Sequence, residues 1–291
     1  MATFVPSKTF IWLNGSVLPL DLALLELERG FLYGDGLFET LRVYGGRPFM
    51  LTEHVSRLTA GAEVLGFAGM LKPEELQNAV EQTMLANSLR DGSVRLTVIR
   101  GRGAGLYPAE TAPPTVLVTV RAGTPYSPEL YTRGFRAVMV SFPRNERSPL
   151  VFLKSLNFLE NILGKKEAVA AGADEGLFLN TAGYLCEGTT SNVFLVEQGT
   201  LITPAVSSGL LPGITRRMVL QVARETGLRA EESLVRPERL FTAREAFLTN
   251  SLLEIMPLVA VDGRPVGTGR AGPVAQHLRE LYRKTAAEKL G

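Results

Sequence analysis

The sequence predicts an α+β protein in two parts, and three observations carry that expectation. Stretches that read as strands come in runs and not in strict alternation with helices. Helical stretches with apolar residues three and four positions apart lie between those runs. Near the middle, "GTPYSPELYTRG" is rich in Gly, Pro and Ser, the composition of a connection. The expected division is a domain over 1–122, a linker over 123–134 and a second domain over 135–291.

The elements follow in order. "TFIWLNGSVLPL" alternates about Asn14-Gly15, a pair that tolerates the positive φ of a tight hairpin turn. "TEHVSRLTAGAEVLG" (52–66) and "KPEELQNAVEQTMLANSL" (72–89) carry helical spacing, and "SVRLTVIRG" and "PTVLVTVRA" read as strands. After the linker come the strand "FRAVMVSF", a helix containing Lys154, and short strands from Glu175 to Ile202. A helix opened by "LPGIT", more short strands and a last helix from about Gly272 to Lys289 complete the chain. No repeat or low-complexity segment interrupts it.

Composition removes several classes of function. The 291 residues hold 31 Lys and Arg against 29 Asp and Glu, so no strong field calls for nucleic acid or an acidic membrane. One cysteine, Cys186, excludes an internal disulfide or a cysteine-rich metal site. The two histidines, His54 and His277, stand far apart without HExxH spacing, and no GxSxG elbow exists for a serine hydrolase. With neither a leader-like start nor an apolar run of about 18 residues, the expectation is a soluble cytoplasmic protein without a metal.

Lysine is then the best nucleophile on offer, and Lys154 in "VFLKSLNFLENILGKKEA" is unlike its neighbours. Lys165 and Lys166 suit a solvated helix face. Lys154 sits between Val151, Phe152, Leu153 and Leu156, Phe158, Leu159, and an ammonium in apolar surroundings finds a counter-ion, deprotonates or reacts. A lysine of this kind forms Schiff bases with carbonyl ligands, of which pyridoxal 5'-phosphate is the commonest. That cofactor needs an anion site and a carboxylate for its ring nitrogen. In "SSGLLPGITRRMVLQVARETG", Pro212 and Gly213 open a helix whose first amides, on Ile214 and Thr215, suit a phosphate; the same residues also read as an ordinary helix start. Arg57 in "TEHVSRL" offers a cation or a surface charge, and Glu187 in "GYLCEGTTSNVFLV" a ring partner or a turn acid.

Taken together, "RGFLYGDGLFETLRVYGG", "TEHVSRL", "KSLNFLEN", "CEGTTSNVFLV", "LPGITR" and "TNSLLEIMPL" resemble, in order, the signatures of the class IV aminotransferases. These are the fold-type IV pyridoxal-phosphate enzymes, which include branched-chain and D-amino acid aminotransferases and 4-amino-4-deoxychorismate lyase. The resemblance implies a two-domain fold like that of D-amino acid aminotransferase, with the cofactor in the interdomain cleft. It also implies a homodimer whose subunits share each site. It assigns Lys154 as the Schiff-base lysine and Glu187 as the partner of the pyridine nitrogen. Arg57, the amides of Ile214 and Thr215, and Asn250 with Ser251 would hold the phosphate.

Substrate choice divides the family. Branched-chain enzymes often have a tyrosine where this chain has Phe158, and D-amino acid enzymes an Arg-x-His pair where this chain reads "RGRGAGLYP". Tyr33, Phe38, Arg100, Arg102 and Tyr107 are the candidate substrate-binding residues, with Phe38 also readable as core and the arginines as loop charges. Three functions stay open. One is transamination between a branched-chain or similar amino acid and a 2-oxo acid such as 2-oxoglutarate. Another is release of pyruvate and 4-aminobenzoate by the lyase. The third, a non-catalytic metabolite-binding protein, is disfavoured by the presence of both Lys154 and Glu187.

Overall fold

The computed structural model describes residues 10–19, 29–101, 106 and 113–290, except for the side chain of Phe31. The chain divides into two compact units, Met1–Pro125 with Lys154–Asn157, and Tyr126–Leu153 with Phe158–Gly291. Both mix helix and sheet, as the runs of strand-like sequence predict.

In the first unit, β1 (Phe10–Leu13) and β2 (Ser16–Pro19) form the expected hairpin, with Asn14 and Gly15 at φ 46° and 95°. Then follow α1 (Arg29–Tyr33), β3 (Gly36–Tyr44), β4 (Arg47–Pro48), α2 (Leu51–Leu65), α3 (Pro73–Ala86), β5 (Gly92–Ile99) and β6 (Thr115–Ala122). The strands make one antiparallel sheet in the order β2-β1-β6-β5-β3-β4. α2 stops at Gly66, which takes the left-handed φ of 79° that a helix end requires, and α3 starts on Pro73, where a missing N–H costs nothing. α2 lies on β3, and α3 on β1 and β6, burying Val55, Leu58, Leu76 and Val80. Each fully buried side chain of this size stabilises the fold by roughly 1.5–3 kcal/mol.

Lys154 is not in a helix, contrary to the sequence expectation. Residues 154–156 add to the edge of β3 that β4 leaves open, since β4 covers only Val43 and Tyr44. Leu37 and Ser155 form an antiparallel bridge, Phe38 N donates to Lys154 O at 2.9 Å, and Leu156 N donates to Gly36 O at 2.9 Å. Glycine at 36 permits this approach: a Cβ there would lie 2.7 Å from Val98 O and 2.8 Å from Leu156 Cδ1. The apolar run around Lys154 looks helical in sequence because an edge pairing with a distant strand has no local signature.

The second unit contains α4 (Pro128–Arg133), β7 (Phe135–Met139), α5 (Leu159–Ala170), β8 (Glu175–Leu179), β9 (Leu185–Gly188), β10 (Asn192–Glu197) and β11 (Thr200–Pro204). It continues with α6 (Ile214–Glu225), β12 (Arg229–Ser233), α7 (Arg239–Thr242), β13 (Glu245–Asn250), β14 (Glu254–Val261), β15 (Arg264–Pro265) and α8 (Pro273–Leu290). The stretch that reads as a linker thus holds α4, and from Tyr126 onward it packs with this unit. The sheet runs β12-β11-β10-β13-β14-β7-β8-β9, with β15 on β14. Pairs β11–β12, β14–β7 and β7–β8 are parallel and the rest antiparallel, the mixed pattern of an α+β sheet. Phe194 and Phe247 stack across β10 and β13 with ring centroids 5.0 Å apart. Glu245 accepts from the amides of Val274 and Ala275 at the start of α8, while Glu254 takes Arg279 and Arg283 from that helix. Among the described residues no helix is long and apolar enough to cross a membrane.

Candidate active site

In the first unit, β3 carries Phe38 and Glu39 side by side, so their side chains leave on opposite faces of the sheet. Across the edge pairing, Lys154 stands beside Phe38. Lys154 is half-buried, its amine lies 4.5 Å from the Phe38 ring centroid, and the Arg95 guanidinium lies 3.8 Å from the same centroid. Phe38 itself is buried, so it serves as both core and floor for these cations.

Glu39 is fully buried under α2, which brings His54 and Arg57 to one face through their spacing of three. Arg57 grips the carboxylate as a fork, Nε to Oε1 at 2.7 Å and Nη2 to Oε2 at 2.7 Å, and His54 Nδ1 meets Oε2 at 2.7 Å. Burial alone would push the Glu39 carboxyl up. The Arg57 guanidinium, with His54, outweighs it and holds the pKa at about 2, against an ordinary 4.5. Burial pushes His54 below its ordinary value despite the pull of Glu39, so the imidazole is neutral at pH 7. A carboxylate only accepts, which makes His54 Nδ1 the donor and Nε2 an acceptor.

Near the start of β3, Asp35 Oδ2 accepts from Arg29 Nε at 2.9 Å and Arg100 Nε at 3.0 Å. Arg100 is buried, also donates Nη2 to the Leu65 carbonyl, and lies over the Phe67 ring. Tyr33 ends α1 with its ring exposed and the Arg29 guanidinium 5.1 Å from its centroid. Arg102 and Tyr107 lie outside the described residues.

In the second unit, Glu187 lies in β9, one residue before its end, in buried surroundings. Arg144 Nη1 donates to Oε1, and Oε2 accepts from the Leu211 amide at 3.1 Å and Asn192 Nδ2 at 3.3 Å. The Arg144 guanidinium is buried and packs 4.3 Å from the Phe178 ring centroid. Cys186 beside it is fully buried, and its thiol is pushed up to about 12 by burial first and by the Glu187 charge second. That is a packed thiol and not a nucleophile.

α6 begins at Ile214 with Gly213 as its N-cap, and no side chain caps its first amides. Glycine is required there because a Cβ would collide with Asn192 Oδ1. The uncapped amides of Ile214 and Thr215 stand at the positive end of a three-turn helix, an arrangement that accepts an anion. Asn250 ties its loop together: Nδ2 donates to Thr190 O at 2.9 Å, and Oδ1 accepts from the amides of Leu252 and Leu253 at 2.8 and 2.7 Å. Ser251 follows it, half-buried.

The first unit therefore sets Lys154 over Phe38 and Arg57 on Glu39, and the second joins Glu187 to Leu211, shortly before the start of α6. Sequence reasoning missed Glu39, His54, Arg95, Arg144 and Asn192. Glu39 had a signal, a carboxylate set among Leu37, Phe38 and Leu41 in the strand "GLFETLRVY", and His54 sits three residues before Arg57. Arg144 had none, because "PRNERSP" carries no periodicity.

Residues 36–261 match the family model of amino-transferase class IV. The chain is 38% identical over 278 residues to a putative branched-chain-amino-acid aminotransferase of Methanocaldococcus jannaschii, covering 94% of this chain and 95% of that protein. It is 34% identical over 278 residues to the aminodeoxychorismate lyase of Bacillus subtilis, covering 94% of each. Among solved structures it is similar to the T.th. branched-chain amino acid aminotransferase with pyridoxamine 5'-phosphate. The TM-score is 0.89 at 33% identity, over 96% of this chain and 94% of that one.

Proposed function

Since the chain belongs to the class IV aminotransferases, a family of pyridoxal-phosphate enzymes, we propose that it moves an amino group between a branched-chain or similar amino acid and a 2-oxo acid such as 2-oxoglutarate. The observation that carries this reading is the placement of Lys154. Its backbone is bonded to β3, and its amine lies over the Phe38 ring.

The residues present fit the cofactor. The uncapped amides of Ile214 and Thr215, with no Cβ at Gly213 to crowd them, suit its phosphate, and Arg57, Asn250 and Ser251 are proposed to share that load. When bound, pyridoxal phosphate supplies an electron-withdrawing ring that stabilises negative charge at the substrate α-carbon. Lys154 Nζ would hold the cofactor covalently and, once displaced by the incoming amino acid, move the α-proton. Glu187, fixed by Arg144, Asn192 and the Leu211 amide, would hold a proton on the ring nitrogen. Phe38 would pack against the substrate side of Lys154, and Tyr33, Arg102 and Tyr107 are proposed to select the side chain.

A second reading, 4-amino-4-deoxychorismate lyase, rests on Phe158, which packs but has no hydroxyl to donate, and on the likeness to the Bacillus subtilis lyase. Both reactions use the same assigned residues. One experiment separates them: the holoenzyme is offered a panel of amino donors with 2-oxoglutarate, and separately aminodeoxychorismate. Glutamate formation from a branched-chain donor is the expected result. Pyruvate release without transamination would transfer the assignment to the lyase, and neither product would refute both.

The enzyme is proposed to act in the cytoplasm as a homodimer. Support for the dimer is the outward apolar face of α5, where Leu159, Ile162 and Leu163 are 72%, 55% and 51% exposed at helical spacing. Ile162→Lys should then shift the sedimenting species from dimer toward monomer. A wild-type chain that sediments as a monomer would rule the dimer out.

A further inference from the structure

We propose that Glu39 and His54 are positioning residues that fix Arg57 as a rigid anion receptor, so that the grip on a phosphate depends on a carboxylate the phosphate never touches. This rests on the reading of Arg57 as a phosphate ligand.

An arginine side chain has four rotatable bonds to its guanidinium, and holding it still for a ligand is costly unless the protein has already done so. Here both Nε and Nη2 are engaged in a fork with one carboxylate, which sets the position and the plane of the guanidinium together. The carboxylate is in turn immobile. It is fully buried in the middle of β3, opposite Leu96 of β5, and His54 Nδ1 holds the oxygen that Arg57 Nη2 also takes. His54 and Arg57 sit one turn apart on α2, so strand and helix are tied by the same three side chains. Because the guanidinium is planar, the fork also fixes the directions of its remaining N–H groups. Such indirect support of a ligand-binding group commonly contributes as much as a direct contact.

Coulomb's law alone predicts the opposite sign. Glu39 is an anion beside a cation, and neutralising it leaves Arg57 with a stronger field, which would tighten the hold on a phosphate. If Glu39 acts by positioning, its neutralisation weakens that hold, because Arg57 then has to be immobilised by the ligand itself.

The experiment uses the full-length chain stripped of cofactor and titrated calorimetrically with inorganic phosphate, pyridoxamine 5'-phosphate and pyridoxamine. Glu39→Gln should weaken both phosphate-bearing ligands by up to about tenfold, the cost of immobilising one long side chain, and leave pyridoxamine unchanged. Glu39→Asp, one methylene short, should lie between. Unchanged or tighter phosphate binding by folded Glu39→Gln overturns the proposal. Should Glu39→Gln not fold, His54→Leu decides instead, since it removes one of the bonds that hold Glu39. Weaker phosphate binding with unchanged pyridoxamine binding supports positioning, and unchanged phosphate binding refutes it. Arg57→Ala separates the two levels of inference. If Arg57→Ala binds phosphate normally, Arg57 is not a phosphate ligand and the proposal falls with that reading. If Arg57→Ala loses phosphate while Glu39→Gln keeps it, only the positioning role is wrong.

Discussion

Acid should loosen this protein through Glu39, and the size of the effect follows from its surroundings. In the folded chain the carboxyl titrates at about 2, against an ordinary 4.5, so folding favours the charged form by roughly 3 kcal/mol. Because the folded value is the lower one, this stabilisation is complete above about pH 4.5 and disappears as the pH falls through about 2. Integration between those limits puts the loss at roughly 2 kcal/mol by pH 3. The structure gives a second route to the same figure, because removing one partner of a buried ion pair costs about 3–5 kcal/mol. The assay is guanidinium unfolding of wild type and Glu39→Gln near pH 7 and near pH 3. The gap between them should be about 3 kcal/mol at the higher pH and about 1 at the lower. A gap that stays constant across this range, or one below about 1 kcal/mol near neutrality, would mean that the fork does not act as a charged pair in solution. His54 adds a component of the same sign at higher pH. Its folded pKa is also depressed, so the wild-type curve should start to fall below about 6.5, where the unfolded imidazole takes up a proton.

Borohydride reduction of the holoenzyme should fix the cofactor to the peptide bearing Lys154, and Lys154→Ala should lose turnover by orders of magnitude. Label on Lys165 or Lys166 would refute the assignment. Arg144→Met should destabilise the chain by roughly 3–5 kcal/mol, with much of that recovered in Arg144→Met with Glu187→Gln. Additive losses in denaturant melts would mean that the two groups do not interact. Arg100→Ala should lower the melting temperature more than it raises the KM for 2-oxoglutarate, because Arg100 is committed to Asp35 and the Leu65 carbonyl. A selective KM effect with unchanged stability would restore Arg100 as a substrate ligand. Cys186 should resist thiol reagents near pH 7 until the protein unfolds, as a buried thiol titrating at about 12 requires. Rapid labelling of the native chain would contradict that burial.

The parts of this fold that could be read from sequence are those with local causes. Asn14-Gly15 specifies its turn through two positive φ values, Gly66 and Pro73 mark helix ends, and Pro212-Gly213 immediately precedes α6. The parts that could not be read are pairings between distant segments. Lys154 has an apolar context that suits a helix, yet the open edge of β3, more than a hundred residues earlier, takes it as a strand. Arg57 reads as a surface charge because its partner, Glu39, lies in another element and is invisible to periodicity. "GTPYSPELYTRG" reads as a loop because α4 is only six residues long and is held by packing against β14.

The block "CEGTTSN" shows how a site residue can be set by a structural one. By composition, Thr189, Thr190 and Ser191 are ordinary turn residues. In the structure all three hydroxyls turn inward onto a single carboxylate. Thr189 and Thr190 Oγ1 and Ser191 Oγ donate to the buried Glu175, which also accepts from the Gly176 amide. This anion has four neutral donors, whereas Glu39 and Glu187 are each met by an arginine. Neutral donors satisfy a buried carboxylate without adding a cation, and they tie it to the loop that supplies them. Asn161 and Asn250 hold the same loop from outside, through the carbonyls of Thr189 and Thr190. Glu187 and Asn192 stand at the two ends of this clamped segment, and they bond to each other across it. The position of Glu187 therefore depends on Glu175 twelve residues earlier, through the three hydroxylic residues between Glu187 and Asn192.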